Sequence, residues 1–149
     1  MRAVVQLVRD CEVSVSGECL ARIDKGLLVY LGIANDDTAQ DLDYLSEKVV
    51  NLRIFPDENH KMNISLYQSG EEIMVISQFT LYGDVRKGRR PSYDEAANPE
   101  AAEKLYLAFL DKLAALGFSP KSGRFQAVME LSYVNRGPVT LLVDSRKKF

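Results

Sequence analysis

Short apolar or alternating runs occupy residues 3–8, 11–15, 18–23 and 26–33, separated by polar or glycine-bearing steps at Asp10, Ser16-Gly17 and Lys25-Gly26. Side chains on a strand alternate between two faces, so runs of this length bounded by turn formers predict four consecutive β-strands in a meander. From Thr38 the period changes. Leu42, Leu45, Val49 and Leu52 recur at helical spacing, and Asp36, Asp37 and Asp41 lie where the positive end of a helix dipole attracts negative charge. The pattern predicts a helix of about four turns over residues 38–52.

Residues 72–81, Glu-Ile-Met-Val-Ile-Ser-Gln-Phe-Thr-Leu, are too short and too β-branched at their start for a helix. They are also too continuously apolar for an exposed strand, which predicts a buried central strand. Residues 82–97 are polar, basic and glycine-containing, the composition of a long surface loop. Asn98 supplies an N-cap and Pro99 a helix-compatible proline, Leu105, Phe109, Leu113 and Leu116 mark one face, and Gly117 with Pro120 stops the element. A second helix is therefore expected over residues 99–116. Strand candidates at 125–134 and 139–143 flank Asn135-Arg136-Gly137-Pro138, where glycine beside proline breaks sheet and helix alike. The order β-β-β-β-α-β-loop-α-β-β predicts an α+β fold: a curved, largely antiparallel sheet, or a barrel-like one, with two main helices packed on it. No repeat, linker or low-complexity segment divides the chain, so a single domain over residues 1–149 is expected.

Composition narrows the function classes. Hydrophobic residues are 46% and charged residues 27% of the 149 positions, enough apolar side chain to close a core without staples. Cys11 and Cys19 are the only cysteines, too few for a disulfide framework or a structural zinc site, and a reduced, cytoplasmic protein follows. Neither a signal-peptide-like stretch nor a run of about 18 apolar residues occurs, so no membrane association is expected. The net charge of −2 argues against wrapping long nucleic acid by counterion release, which leaves only local contact with RNA.

Few residues could carry chemistry. His60, the single histidine, lies in the polar run Asp57-Glu58-Asn59-His60-Lys61 and reads as a solvated loop residue rather than a general base. No cofactor or metal is expected, since the cysteines and His60 lack ligand spacing. The paired acids Asp36-Asp37 fit a helix N-terminus and Asp94-Glu95 a polar loop. Ser77-Gln78-Phe79-Thr80 places small hydroxyls and an amide at the end of an apolar strand. Such a strand end either aims groups into a pocket or buries hydroxyls satisfied by the backbone. Arg86, Lys87, Arg89 and Arg90 put four cations into five residues, a solvated loop or a phosphate contact. Gly137-Pro138 alone would be a turn.

Taken in order, Met1-Arg2-Ala3-Val4-Val5-Gln6, Gly26-Leu27-Leu28-Val29, Asn51-Leu52-Arg53-Ile54-Phe55, Lys61-Met62-Asn63, Ser77-Gln78-Phe79-Thr80-Leu81, Tyr82-Gly83-Asp84 through Arg89-Arg90-Pro91-Ser92, and Asn135-Arg136-Gly137-Pro138-Val139-Thr140 resemble the D-aminoacyl-tRNA deacylase family over nearly the whole chain. The resemblance implies that family's fold and the hydrolysis of the ester between a D-amino acid, or glycine, and its tRNA, a chiral proofreading of translation. It further implies a homodimer with active sites at the interface. There Gly137-Pro138, cis in the family, reaches with Val139, Thr140 and Asn135 into the partner's pocket and bars L side chains. Ser77, Gln78, Phe79 and Thr80 would form the catalytic segment, with backbone N–H groups around Gln78, Phe79 and Thr80 holding the substrate. Water, helped by the 2′-hydroxyl of the terminal adenosine, would attack, with Thr80 as the rival nucleophile. Arg86, Lys87, Arg89 and Arg90 would hold phosphates of the acceptor end.

Two positions depart from the family pattern. Leu7 stands where the family usually has an arginine that holds the Gly-Pro carbonyls inward, and Arg136 stands where an acidic residue is common. An arginine at 136 could supply the missing cation locally. These departures leave open a deacylase of relaxed chiral specificity, and the basic loop leaves open a non-catalytic nucleic-acid-binding dimer.

Overall fold

The computed structural model describes residues 1–149. Two long strands, β1 (Arg2–Val15) and β2 (Glu18–Gly32), replace the four short ones expected, because only Ser16-Gly17 turns the chain. Asp10 (φ 50°) distorts β1 without ending it, and Gly26 continues β2. Helix α1 (Ala39–Asn51) follows, capped by Thr38 and Asp41, and buries Leu42, Leu45, Val49 and Val50. The short strands β3 (Phe55–Pro56) and β4 (Met62–Ile64) pair with each other. The one-turn helix α2 (Leu66–Ser69) leads into β5 (Glu72–Ser77). A 3-10 turn (Phe79–Tyr82), helix α3 (Pro99–Ala115), β6 (Lys121–Ser122) and the long strand β7 (Glu130–Asp144) complete the chain.

The five-stranded sheet runs β6-β5-β2-β1-β7. Its long pairings, β1 with β2 and β1 with β7, are antiparallel, while β5 joins β2 and β6 in parallel. The fold is the expected α+β arrangement with two main helices, and its sheet is mixed. β5 is covered on both faces: Ile73 and Val75 enter the larger core with α1 and α3, whereas Met74 and Ile76 enter a second core with Val8, Cys11 and Ile23. Its position beside β2 allows no side chain at the join, since a Cβ on Gly26 would stand 1.9 Å from the Glu72 carbonyl oxygen. No helix is long and apolar enough to cross a membrane.

Two sequence expectations change here. The strand predicted over 72–81 stops at Ser77, because β2 ends opposite it and the next backbone N–H, that of Gln78, makes the last bond to Leu31 O at 2.8 Å. The strands predicted at 125–134 and 139–143 belong to one element: β7 starts only at Glu130 and passes through Asn135-Pro138 without ending.

Candidate active site

Beyond Gln78 the chain coils into the 3-10 turn, whose internal bonds run from Leu81 N–H to Gln78 O (3.3 Å) and from Gly83 N–H to Thr80 O (2.9 Å). The N–H groups of Phe79 and Thr80 therefore find no acceptor within the protein, two adjacent donors left open where a ladder has just ended. Gln78 differs from them, since its N–H is committed to the sheet. Its side-chain amide donates instead to Thr80 Oγ1, so the Thr80 oxygen receives a proton donor where a nucleophile needs a base.

Ser77, Gln78 and Phe79 open onto a cavity of about 660 Å³. Leu31 and Ile76 form its floor from the sheet, Ala102 closes it from α3, and Phe125 and Met129 reach it from the segment before β7. Phe79, 57% exposed, meets Tyr93 edge-on at 4.9 Å between ring centroids, an aromatic pair on the lining. No Asp, Glu, His, Lys, Arg or Cys lines the cavity. Chemistry there has backbone donors, the hydroxyls of Ser77 and Tyr93 and the amides of Gln78 and Gln126 to work with, and no carboxylate, imidazole, amine or thiol.

The second signature segment is built differently. Along β7, Thr140 pairs with Gln6 and Asn135 with Val8, so Arg136, Gly137, Pro138 and Val139 stand opposite the single residue Leu7 and bulge out as a blister. The Gly137-Pro138 peptide is cis, and both residues are exposed. Gly137 has φ 109°, and a Cβ there would stand 2.7 Å from Val139 Cγ2, so glycine is required. The neck is clamped: Asn135 Nδ2 and Gln6 Nε2 both donate to Thr140 Oγ1 at 3.0 Å, while Tyr133 Oη donates to Gln6 Oε1 at 3.0 Å. Asn135 Oδ1 is buried without a partner.

The basic residues sit on a loop closed by reciprocal backbone bonds between Asp84 and Ser92 (2.7 and 2.9 Å). Arg86 is already engaged there. Its Nε and Nη2 donate to Asp84 at 2.9 and 2.7 Å, and this hydrogen bonding holds the Asp84 carboxyl down to about 2. Lys87, Arg89 and Arg90 are exposed. Among the remaining candidates, His60 occupies the turn between β3 and β4, Asp36 is paired with Arg146 at 2.6 Å, and Asp37 with the Met1 amino group at 2.5 Å. Burial pushes the Cys11 thiol up to about 11, far from a reactive thiolate.

The structure thus gathers Ser77, Gln78 and Phe79 at the cavity with Thr80 beside them, and leaves residues 135–140 and 86–90 outside its lining. Sequence reasoning missed Tyr93, Phe125 and Met129 as lining residues. For Phe125 and Met129 the signal is the run Phe125-Gln126-Ala127-Val128-Met129, mostly apolar yet lacking regular alternation, with Val128 89% exposed; Tyr93, inside a polar loop, carries none.

A family model described as D-Tyr-tRNA(Tyr) deacylase matches residues 4–144. The D-aminoacyl-tRNA deacylase of Desulfatibacillum aliphaticivorans is 55% identical over 146 residues, spanning 98% of this chain and all of that one. That of Syntrophobacter fumaroxidans is 56% identical over the full length of both chains. Among solved structures, the c-Myc DNA Unwinding Element Binding Protein superposes with a TM-score of 0.92 at 39% identity, covering 97% of this chain and 98% of its own. Full-length identity above half, together with a family model that matches nearly the whole chain, leads to one conclusion: the chain belongs to the D-Tyr-tRNA(Tyr) deacylase family.

Proposed function

We propose that the cavity beside Ser77–Thr80 hydrolyses the ester of D-aminoacyl-tRNA, and of mischarged glycyl-tRNA, in the cytoplasm, working as a single-domain subunit of a homodimer. Deacylation of D-aminoacyl-tRNA is the activity of the family. The observation that carries the mechanism is the pair of open N–H groups at Phe79 and Thr80 beside a cavity whose lining has no carboxylate, imidazole, amine or thiol. An ester carbonyl seated there directs its oxygen at these donors, which stabilise the negative charge that develops as water attacks. The tetrahedral centre then collapses, the 3′-oxygen of the terminal ribose leaves with a proton, and the free amino acid departs. The neighbouring 2′-hydroxyl of the substrate relays protons in place of the missing side-chain base.

Selection by handedness is assigned to Gly137-Pro138, a main-chain wall that an L side chain meets and that a D side chain or glycine avoids. Within one chain this wall lies opposite Leu7, four residues along the sheet and three strands across from Ser77. That separation is about 13 Å along the strands and about 14 Å across them. A blister of four residues does not bridge it, which supports donation of the wall by a second subunit. β7 is the sheet edge and displays Val134 and Leu142 to solvent, a surface suited to such pairing. Lys87, Arg89 and Arg90 are the cations free to meet phosphates of the acceptor end.

Purified protein incubated with D-Tyr-tRNA, L-Tyr-tRNA and Gly-tRNA tests the proposal. Release of D-Tyr and Gly with L-Tyr-tRNA intact is expected. Equal release of L-Tyr would replace it with a deacylase of relaxed specificity, and binding without any release with a non-catalytic nucleic-acid-binding protein.

A further inference from the structure

The neck of the blister is clamped through Thr140 and Val139 packs against the larger core, while the exposed Gly137-Pro138 tip has one polar side-chain tether beside it. Arg136 Nη1 meets Glu71 Oε2 at 3.1 Å, and each side chain is 25% exposed. No other ion pair involves residues 136–139. The two partners are remote in sequence and in the sheet. Asn135, Val8, Gly26 and Glu72 form one row across four strands, so Arg136, beside one end of that row, reaches past β1 and β2 to Glu71 beside the other. Leu7, opposite the blister, is 4% exposed within the larger core, and the wall receives no charged contact from that position.

We propose that the Arg136–Glu71 pair is a latch that fixes the orientation of Gly137-Pro138, and that Arg136 and Glu71 are positioning residues for chiral selection. The inference rests on the reading of Gly137-Pro138 as the wall. The clamped neck and packed Val139 hold the Thr140 side, so without the pair the Asn135 side leaves the exposed Gly137-Pro138 peptide to tilt, and a tilting wall still passes D substrates while ceasing to exclude L ones. Arg136 sits next to Gly137, so holding its guanidinium holds the peptide that follows. Half-burial makes the pair less screened than a surface ion pair, and its ends belong to segments that are otherwise independent.

The test measures kcat/KM for D-Tyr-tRNA and L-Tyr-tRNA in wild type, Arg136→Met, Glu71→Gln, the double variant and Arg136→Lys, with thermal unfolding recorded for each. Both single variants are expected to lose at least about tenfold in D-over-L preference, mainly by gaining activity on L-Tyr-tRNA. The double variant should lose no more than either single one, since both remove the same contact. Arg136→Lys, which keeps the charge, should retain most of the preference. An unchanged preference in Arg136→Met and Glu71→Gln overturns the latch while the proposed activity stands. Losses that multiply in the double variant overturn it as well, since the two residues would then act separately. A wild type without D-over-L preference overturns the wall reading itself, and the latch with it.

Discussion

At the scale of single residues, the surroundings of Thr80 argue against a nucleophilic hydroxyl. Its hydroxyl oxygen accepts from the Gln78 amide, and no histidine, carboxylate or thiol lines the cavity to take its proton. An unactivated hydroxyl attacks an ester weakly, whereas the Thr80 backbone N–H is open and survives loss of the side chain. Thr80→Ala should therefore keep deacylation of D-Tyr-tRNA within about tenfold of wild type. Removing a true nucleophile would cost on the order of a millionfold, so a single-turnover assay separates the outcomes. The Ser77–Thr80 segment was legible as a candidate site because hydroxyls and an amide follow an apolar strand. Which backbone groups stay open was not, because that depends on where β2 ends and takes the Gln78 N–H. The partner of Arg136 was equally hidden, since nothing in the local sequence joins it to Glu71, 65 positions away.

At the scale of elements, the first turn of α1 shows how a polar cluster anchors an apolar helix. Asp41 accepts from the Thr38 N–H and hydroxyl at 2.9 Å and from Ser145 Oγ at 2.7 Å, tying the helix start to the segment after β7. Burial alone would raise its carboxyl, but the bonds from Ser145 and Thr38 outweigh that and hold it near 2. A depressed folded-state value means that the stabilisation is complete above the ordinary aspartate range, near 4, and is lost as pH falls towards 2. Asp41→Asn should cost about 1–2 kcal/mol at pH 7. In denaturant titrations the gap from wild type should narrow between about pH 4 and pH 2; a constant gap would assign the loss to shape rather than charge. Both main helices were legible because their caps and apolar faces are local, and observed bounds differ from expected ones by one residue at each end of α1 and at the C-terminal end of α3. Helix α2 carried a readable signal in Ser65 and Gln68 around its first turn and Gly70 after it, too short to produce a helical period. β7 was misread because Gly-Pro ends most strands, and only pairing of both halves with β1 shows that this one continues.

At the scale of the whole molecule, the proposed wall and the cavity lie on different parts of one chain, and the proposed dimer brings the two into one site. It can be tested without seeing the interface, by mixing subunits that each lack one part. Ala102→Trp fills the cavity from α3 and leaves the blister intact. Gly137→Ala displaces the wall through its contact with Val139 and leaves the cavity intact. Alone, the first variant should be inactive and the second active but poorly selective. Co-expressed with two affinity tags and purified through both, the mixed dimer has one working cavity, that of the Gly137→Ala subunit. If the wall is donated across the twofold contact, that cavity receives the intact blister of its Ala102→Trp partner. The mixed dimer should then show about half the wild-type activity with full D-over-L preference. If the wall served its own chain, the same cavity would keep its displaced blister and hydrolyse both enantiomers. Selectivity, rather than rate, is the informative readout, because only the wall's origin differs between the two arrangements.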